Sequence, residues 1–132
     1  MENEHEKPTT FLRFEDLRIY HKALEYVDWV YLIAVNAKSD PYVKSFFDRF
    51  LSSANGIALN IAEGSSRNKS QFVYYLKMAK SSVRECVVFS TIAKSRSFIS
   101  ASTYDESKNY LMEMTKMIGA LIGSLQRSVK PG

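Results

Sequence analysis

Two carboxylates stand at the ends of two short polar motifs in this chain. Asn60 precedes Glu63 by three residues, and Ser82 precedes Glu85 by the same spacing, which places each pair on one face of a helix. Two carboxylates in one cleft could serve as general acid and base. Alternatively, the four groups form a structural hydrogen-bonded network at the loop and at a subunit junction, which fixes helix register. In that network Glu63 bonds to turn amides or to Arg67, and Asn60 and Ser82 bridge helices. We favour the network because Glu63 lies near a turn, whereas Glu85 lies about four turns along the next helix.

A cluster of cations is the second candidate for chemistry. Residues 65–98 carry seven basic side chains against Glu85 alone, although the whole chain has a net charge of only +4. Spacings of three and four place Lys77, Lys80 and Arg84 on one side of a helix. Such a field suits a polyanion, although many basic helices are only solvated. Tyr74 is the only aromatic residue near these cations on the outer side, so base-specific readout is not indicated. The predicted nucleic-acid-binding residues are Arg67, Lys69, Lys77, Lys80 and Arg84.

Other site chemistries lack their residues. A di-iron bundle needs a Glu-x-x-His motif on each of two facing helices. The one such motif here, Glu2-x-x-His5, falls in the predicted tail, and His21 follows Arg18 by three, so we expect no metal. There is no glycine-rich phosphate loop, and we expect no cofactor. Cys86 lies on an apolar stripe and lacks a histidine partner, so we predict that it is a buried core residue. A lone cysteine excludes an internal disulfide and fits a reducing cytoplasm.

The elements that position these groups are four helices. At 132 residues the chain is one domain, and apolar residues recur at helical spacing throughout, with no competing strand pattern. We predict an all-α, antiparallel up-down-up-down four-helix bundle with helices at about 15–37, 41–63, 69–95 and 104–128. Residues 1–13 and 129–132 are predicted to be tails. No apolar run is long enough to span a membrane, and no export signal precedes the domain.

Local signals set the expected helix ends. Asp40 should cap the second helix, with Pro41 in its first position. Asn68 should cap the third helix, and Thr103 with Glu106 should form a capping box for the fourth. Gly64 is expected to end the second helix in a left-handed conformation.

Core stripes can be assigned to each helix from the same periodicity. The stripe of the second helix is Val43, Phe47, Phe50, Ala54, Ile57, Ala58 and Ile61, and that of the third is Phe72, Tyr75, Leu76, Ala79, Val83, Cys86, Ser90 and Ala93. In the first helix the stripe is expected to be Leu17, Tyr20, Leu24, Val27, Tyr31 and Ala34. In the fourth it is Tyr104, Leu111, Met114, Ile118, Leu121 and Leu125, beside a small-residue ridge of Thr115, Gly119 and Gly123 predicted to allow close helix packing.

Two surfaces then remain outside the expected core. Trp29 and Ile33 lie opposite the first stripe, and the second helix has a side of small polar residues where a solvent face would carry Lys and Glu. Both features predict burial against another copy, although a bent helix end packing on the tail is an alternative for the Trp29–Ile33 pair. The predicted oligomer interface is Trp29, Ile33, Ser52, Ser53 and Gly56.

Several motifs together resemble one family. They are Phe14-x-Asp16-Leu17, Asn60-Ile61-Ala62-Glu63-Gly64, Arg67, Phe72, Leu76, Ala79 and Ser82-x-x-Glu85. This pattern, over about residues 14–126, resembles the four-helix-bundle proteins encoded in intervening sequences of bacterial 23S ribosomal RNA genes. The family includes the accessory variability determinant of diversity-generating retroelements.

The resemblance implies a homopentameric barrel without enzymatic activity. Its retroelement member is a basic protein that binds nucleic acid and a reverse transcriptase, so both become candidate partners. The chain departs from the family pattern at Tyr20, Gly56, Ser81 and Cys86-Val87, and the basic surface is not a fixed motif of the family.

Three functions therefore follow as hypotheses. The first is a non-enzymatic cytoplasmic oligomer that binds RNA or DNA non-specifically through the basic third helix. The second is a protein-interaction scaffold or accessory subunit that does not touch nucleic acid. The third is a small-molecule enzyme, which requires Glu63 and Glu85 to open onto one cleft.

Overall fold

Four helices account for most of the part of the chain that the structure describes. The computed structural model describes residues 13–128, apart from the side chains at the two ends of that range. A short 3-10 helix, Arg13–Asp16, precedes α1 (Arg18–Val35), α2 (Pro41–Ser65), α3 (Lys69–Ser95) and α4 (Ala101–Ser128). No strand occurs among these residues. The predicted tails, 1–13 and 129–132, lie almost wholly outside the described range.

The helices pack as a bundle around one core. α1 packs on α2, α2 on α3, α3 on α4, and α4 returns to α1, while the diagonal pairs make no close backbone contact in the described range. The stripe predicted for α2 is buried at every position, and that for α3 at every position except Tyr75, which is half-buried. The all-α bundle prediction is thus confirmed.

The face predicted for α1 is wrong in part. The fully buried residues are Ile19, Ala23, Tyr26 and Val30, whereas Leu24 and Tyr31 of the predicted stripe are exposed. The other four residues of the stripe, Leu17, Tyr20, Val27 and Ala34, are partly buried against the core. α1 is apolar on several sides, so periodicity alone could not select the buried one. The aromatic residues of α4 decide it, because Tyr110 lies beside the ring of Tyr26 at 5.6 Å.

Three of the helix starts are set by side-chain caps. Asp40 accepts hydrogen bonds from the amides of Tyr42 and Val43, with Pro41 at the first position of α2, as predicted. Asn68 accepts from the amide of Gln71, as predicted for α3.

The predicted capping box of α4 is wrong. Ser100, not Thr103, precedes the helix, and its Oγ accepts from the Thr103 amide at 3.0 Å. The helix therefore begins three residues before its predicted start. Glu106 does not cap α4 and instead contacts α1, where it accepts a hydrogen bond from the Trp29 indole at 3.0 Å.

Gly64 does not have the predicted left-handed backbone, since α2 continues through Ser65. Gly64 instead allows α2 and α3 to approach closely, because a Cβ atom on Gly64 would lie 2.5 Å from the Cβ of Tyr75. The left-handed residue is Ser97, with φ of 61°, at the end of α3. The amide of Phe98 bonds to the carbonyl of Ala93 at 2.8 Å and that of Ser97 to Lys94 at 3.0 Å, which is a Schellman motif.

No helix of the described range combines the length and apolar content that crossing a membrane would require.

Candidate functional site

A groove between α3 and α4 collects three of the predicted cationic residues. Its volume is about 550 Å³, within the range of small-molecule and cofactor sites. The α3 wall contributes Lys77, Lys80, Ser81 and Arg84, and the α4 wall contributes Gly119, Ile122, Gly123 and Gln126. No residue of either wall carries a carboxylate.

The chemistry of the lining is that of hydrogen-bond donors. The lysines and Arg84 can only donate, whereas Ser81 and Gln126 can donate as well as accept. Among the described residues, Lys77, Lys80 and Arg84 form no ion pair within 4.0 Å. The α3 wall therefore holds three positive charges without an ion-pair partner in the described chain. Their proximity has a cost, because like charges at a spacing of four residues destabilise a helix by roughly 0.2–0.5 kcal/mol.

The α4 wall of the groove is shallow because two of its residues, Gly119 and Gly123, have no side chain. A Cβ atom placed on Gly119 would meet nothing within 4 Å. At Gly123 it would meet only the guanidinium of Arg127, at 3.2 Å. The expectation that Thr115, Gly119 and Gly123 allow close helix packing is therefore wrong within the chain at Gly119. The missing side chain leaves open space instead.

The remaining two predicted cationic residues lie outside the groove. Arg67, in the turn before α3, donates from Nε to Glu63 at 3.1 Å, and a second guanidinium nitrogen makes an ion pair with the same carboxylate. Its guanidinium also lies over the ring of Tyr75 at 5.1 Å. Hydrogen bonding to Glu63 raises the pKa of Arg67. Lys69, the first residue of α3, is exposed.

The two carboxylates of the polar motifs are not brought together. Glu63 pairs with Arg67, which was one of its two predicted partners, at the turn before α3. Glu85 accepts from Ser53 Oγ at 2.9 Å and lies 16 residues beyond the start of α3, about 24 Å along the helix. A shared acid–base cleft, which the enzyme hypothesis requires, is therefore not formed by this pair.

The predicted polar network forms only in part. Asn60 was expected to bridge helices, but it donates to the Gly56 carbonyl of its own helix at 2.9 Å. Ser82 makes no described bond across to α2, and its Oγ would lie 2.9 Å from a Cβ on Gly56. The bond that links α2 to α3 is Ser53 to Glu85. The small side of α2 thus packs on α3 of the same chain.

Four of the five residues of the predicted oligomer interface have partners within the chain. Gly56 and Ser53 face α3, and only Ser52 of the small-residue set is exposed. Trp29 stacks on Tyr26 at 5.6 Å and bonds to Glu106, while Ile33 packs against the core. The exposed apolar residues of α1 are instead Leu24, Tyr31, Leu32 and Val35, of which Leu32 is 58% exposed.

A buried polar chain was missed from the sequence. Tyr26 Oη lies 2.7 Å from Ser107 Oγ, which lies 2.6 Å from Ser90 Oγ, so α1, α3 and α4 are joined in the core. Burial raises the pKa of Tyr26. Ser90 stood on the predicted α3 stripe, and Ser107 falls three and four residues from Tyr104 and Leu111. Two serines on facing apolar stripes were the available signal.

A second groove lies on the other side of α4. It has a volume of about 380 Å³ and is lined by Lys22, Glu25, Glu106, Asn109, Tyr110 and Glu113. Lys22 pairs with Glu113 at 3.2 Å and Glu25 at 3.4 Å. Three carboxylates around one ammonium make this groove acidic. In the part of the chain that the structure describes, no three potential ligands converge on a metal site.

Comparison with known proteins adds one match. The family model described as 23S rRNA-intervening sequence protein matches residues 15–120, which include α1, α2, α3 and most of α4. The curated proteins contain no match.

Proposed function

The chain belongs to the family of 23S rRNA-intervening sequence proteins, and from this premise we propose that it binds RNA or DNA without acting as an enzyme. The observation that carries the proposal is the α3–α4 groove, where Lys77, Lys80 and Arg84 have no carboxylate partner in the described chain. Phosphates would neutralise these cations and release counterions. Contacts to phosphates carry no sequence information, so binding through these three cations would not depend on base sequence.

A charge reversal tests this proposal. Changing Lys77, Lys80 and Arg84 together to Glu should abolish retention of labelled RNA and DNA at low salt. For the wild type, the plot of log affinity against log salt should have a slope that includes about −2 to −3 from these three contacts. The matched control reverses Lys38, Lys44 and Arg49, which are exposed and lie near the opposite end of the bundle. Unchanged retention by the groove variant would refute the proposal.

We further propose that the bundle has up-down-up-down topology and assembles in the cytoplasm as a homo-oligomer, of which a pentamer is the form that the resemblance implies. The contacts of Phe46 with Phe89 and of Gly64 with Tyr75 support antiparallel packing of α2 and α3. Support for assembly comes from the exposed α1 residues Tyr31 and Leu32. Light scattering tests assembly, and a monomer mass of 15.1 kDa that persists on concentration would exclude it.

The exposed apolar α1 face also favours a second candidate function. A protein scaffold or accessory subunit, with a reverse transcriptase as one implied partner, would use such a face without touching nucleic acid. The two functions separate in a pull-down from cell extract. A partner retained after nuclease treatment, and lost when Tyr31 and Leu32 are changed to Ser, would support the scaffold.

A further inference from the structure

The two walls of the α3–α4 groove differ in chemistry. The α3 wall presents the amino groups of Lys77 and Lys80 and the guanidinium of Arg84, whereas the α4 wall presents Ile122, two glycines and the uncharged amide of Gln126. A ligand that fits both walls must be anionic along one edge and weakly polar along the other. A phosphodiester strand has this character, because its charged phosphates alternate with sugars.

The length of the groove can be compared with such a strand. Lys77 and Arg84 are seven residues apart, as are Gly119 and Gln126, and each interval corresponds to about 10 Å of helix. A strand rising 3.4 Å per nucleotide would place about three phosphates over that length. Neighbouring helix axes lie only about 8–10 Å apart, so the groove between them is too narrow for a whole duplex and can receive at most one strand.

Gly119 is the residue that keeps the floor of the groove open. A mid-helix glycine is about 1 kcal/mol less favourable than alanine, and close packing is the usual compensation. No such packing occurs here, because a Cβ on Gly119 would have no neighbour within 4 Å. The opening lies opposite the unpaired cations, so the missing side chain gives access to them.

We propose that the α3–α4 groove seats one phosphodiester strand, with its phosphates against Lys77, Lys80 and Arg84 and its sugars over Gly119 and Ile122. This inference rests on the proposed function and adds to it the position of the strand and a steric requirement at Gly119. Binding therefore depends on the shape of the groove as well as on its charge.

Filling the groove without altering its charge tests the inference. Gly119→Leu should weaken binding of a fluorescent oligothymidylate roughly tenfold or more, measured by anisotropy at low salt. The matched control is Ala120→Leu, which adds the same side chain at an exposed neighbouring position outside the groove lining. Ser81→Leu fills the groove from the α3 wall and serves if Gly119→Leu does not fold, as judged by circular dichroism.

A hairpin duplex of equal length forms the second arm. Weaker binding of either the oligothymidylate or the hairpin by a groove-filling variant supports the inference. The probe whose binding is weakened shows whether the strand comes from single-stranded or duplex nucleic acid. Wild-type affinity of both groove-filling variants, with binding lost in the Lys77/Lys80/Arg84 charge reversal, would overturn the inference and leave the proposed function standing. If the Lys77/Lys80/Arg84 charge reversal binds nucleic acid with wild-type affinity, both the inference and the proposed function are refuted. A fall in solution mass with Gly119→Leu, measured by light scattering, would assign the groove to a second copy and also overturn the inference.

Discussion

The backbone of Gly64 and the side chain of Tyr75 occupy adjoining space with no room for a methyl group between them. A Cβ on Gly64 would lie 2.5 Å from the Cβ of Tyr75 and 3.0 Å from Cδ1 of Phe72. The obstructing atom of Tyr75 is fixed to the backbone of α3, so it cannot rotate away. α2 and α3 are the most extensively packed helix pair of the bundle, and this contact lies at their connected ends.

Gly64→Ala should destabilise the protein by about 1–3 kcal/mol, because the added methyl overpacks the α2–α3 contact. Gly119→Ala is the matched control, since its methyl enters open space and should stabilise the helix by about 1 kcal/mol. Urea unfolding monitored by circular dichroism measures both. Equal effects of the two substitutions would contradict the assigned role of Gly64.

Ser97→Gly should stabilise the protein by roughly 0.5–1 kcal/mol. Ser97 has φ of 61°, which costs a residue with a Cβ more than it costs glycine. Ser95→Gly, inside the last turn of α3, is the control and should destabilise by about as much. Thermal unfolding of the two variants should shift in opposite directions, and a lower melting temperature for Ser97→Gly would count against the Schellman assignment.

Ser107→Ala should destabilise the protein by about 1–3 kcal/mol, because Ser107 is the shared partner of Tyr26 and Ser90 and its loss leaves buried hydroxyls without a partner. Tyr26→Phe should have a smaller effect, about 1 kcal/mol, since the two serines still bond to each other. A double-mutant cycle by denaturant unfolding measures the coupling. Strict additivity would show that the three hydroxyls do not act as a network.

Cys86 should make stability depend on alkaline pH. Burial raises the pKa of its thiol from 9.0 to about 12, so the folded state keeps the proton that the unfolded chain releases. The stabilisation from this group is complete below pH 9 and is lost as pH rises towards 12. At about pH 10 the loss should reach roughly 1.4 kcal/mol.

Cys86→Ala is the test of this pH dependence. The variant loses some core packing at all pH values, but its free energy of unfolding should fall less between about pH 8 and 10 than that of the wild type. This window lies at or below the ordinary pKa of Tyr26, 10.0, so the tyrosine contributes little. Parallel pH profiles for the two proteins would show that the thiol is not responsible.

The sequence predicted α2 and α3 well for a physical reason. Their stripes repeat over helices of 25 and 27 residues, so apolar residues outside the stripe, such as Leu59 and Val88, which are exposed, do not obscure the buried side. Asp40 and Asn68 cap the two helices as predicted. α1 could not be oriented, because Trp29 and Tyr31 lie on different sides with similar apolar character. The partner that decides between them, Tyr110, is about eighty residues away in the chain.

The candidate site was predictable in its charge and not in its shape. The spacing of Lys77, Lys80 and Arg84 already placed them on one face. That Arg67 would pair with Glu63 was one of two alternatives, and the opening at Gly119 could not be foreseen. The sequence does not distinguish a glycine that packs tightly, such as Gly64, from one that leaves space, because the difference lies in which helix comes opposite.

The two grooves on either side of α4 have opposite sign, so together they contribute an electric dipole directed across that helix. A polyanion at a distance of about one Debye length, roughly 8–10 Å at moderate salt, would exert a torque on the protein before any atoms touch. The α3–α4 side would turn towards the polyanion, and the side bearing Glu25, Glu106 and Glu113 would turn away from it. Productive encounters would then be more frequent than random collision geometry allows, and that advantage would vanish as ionic strength increases.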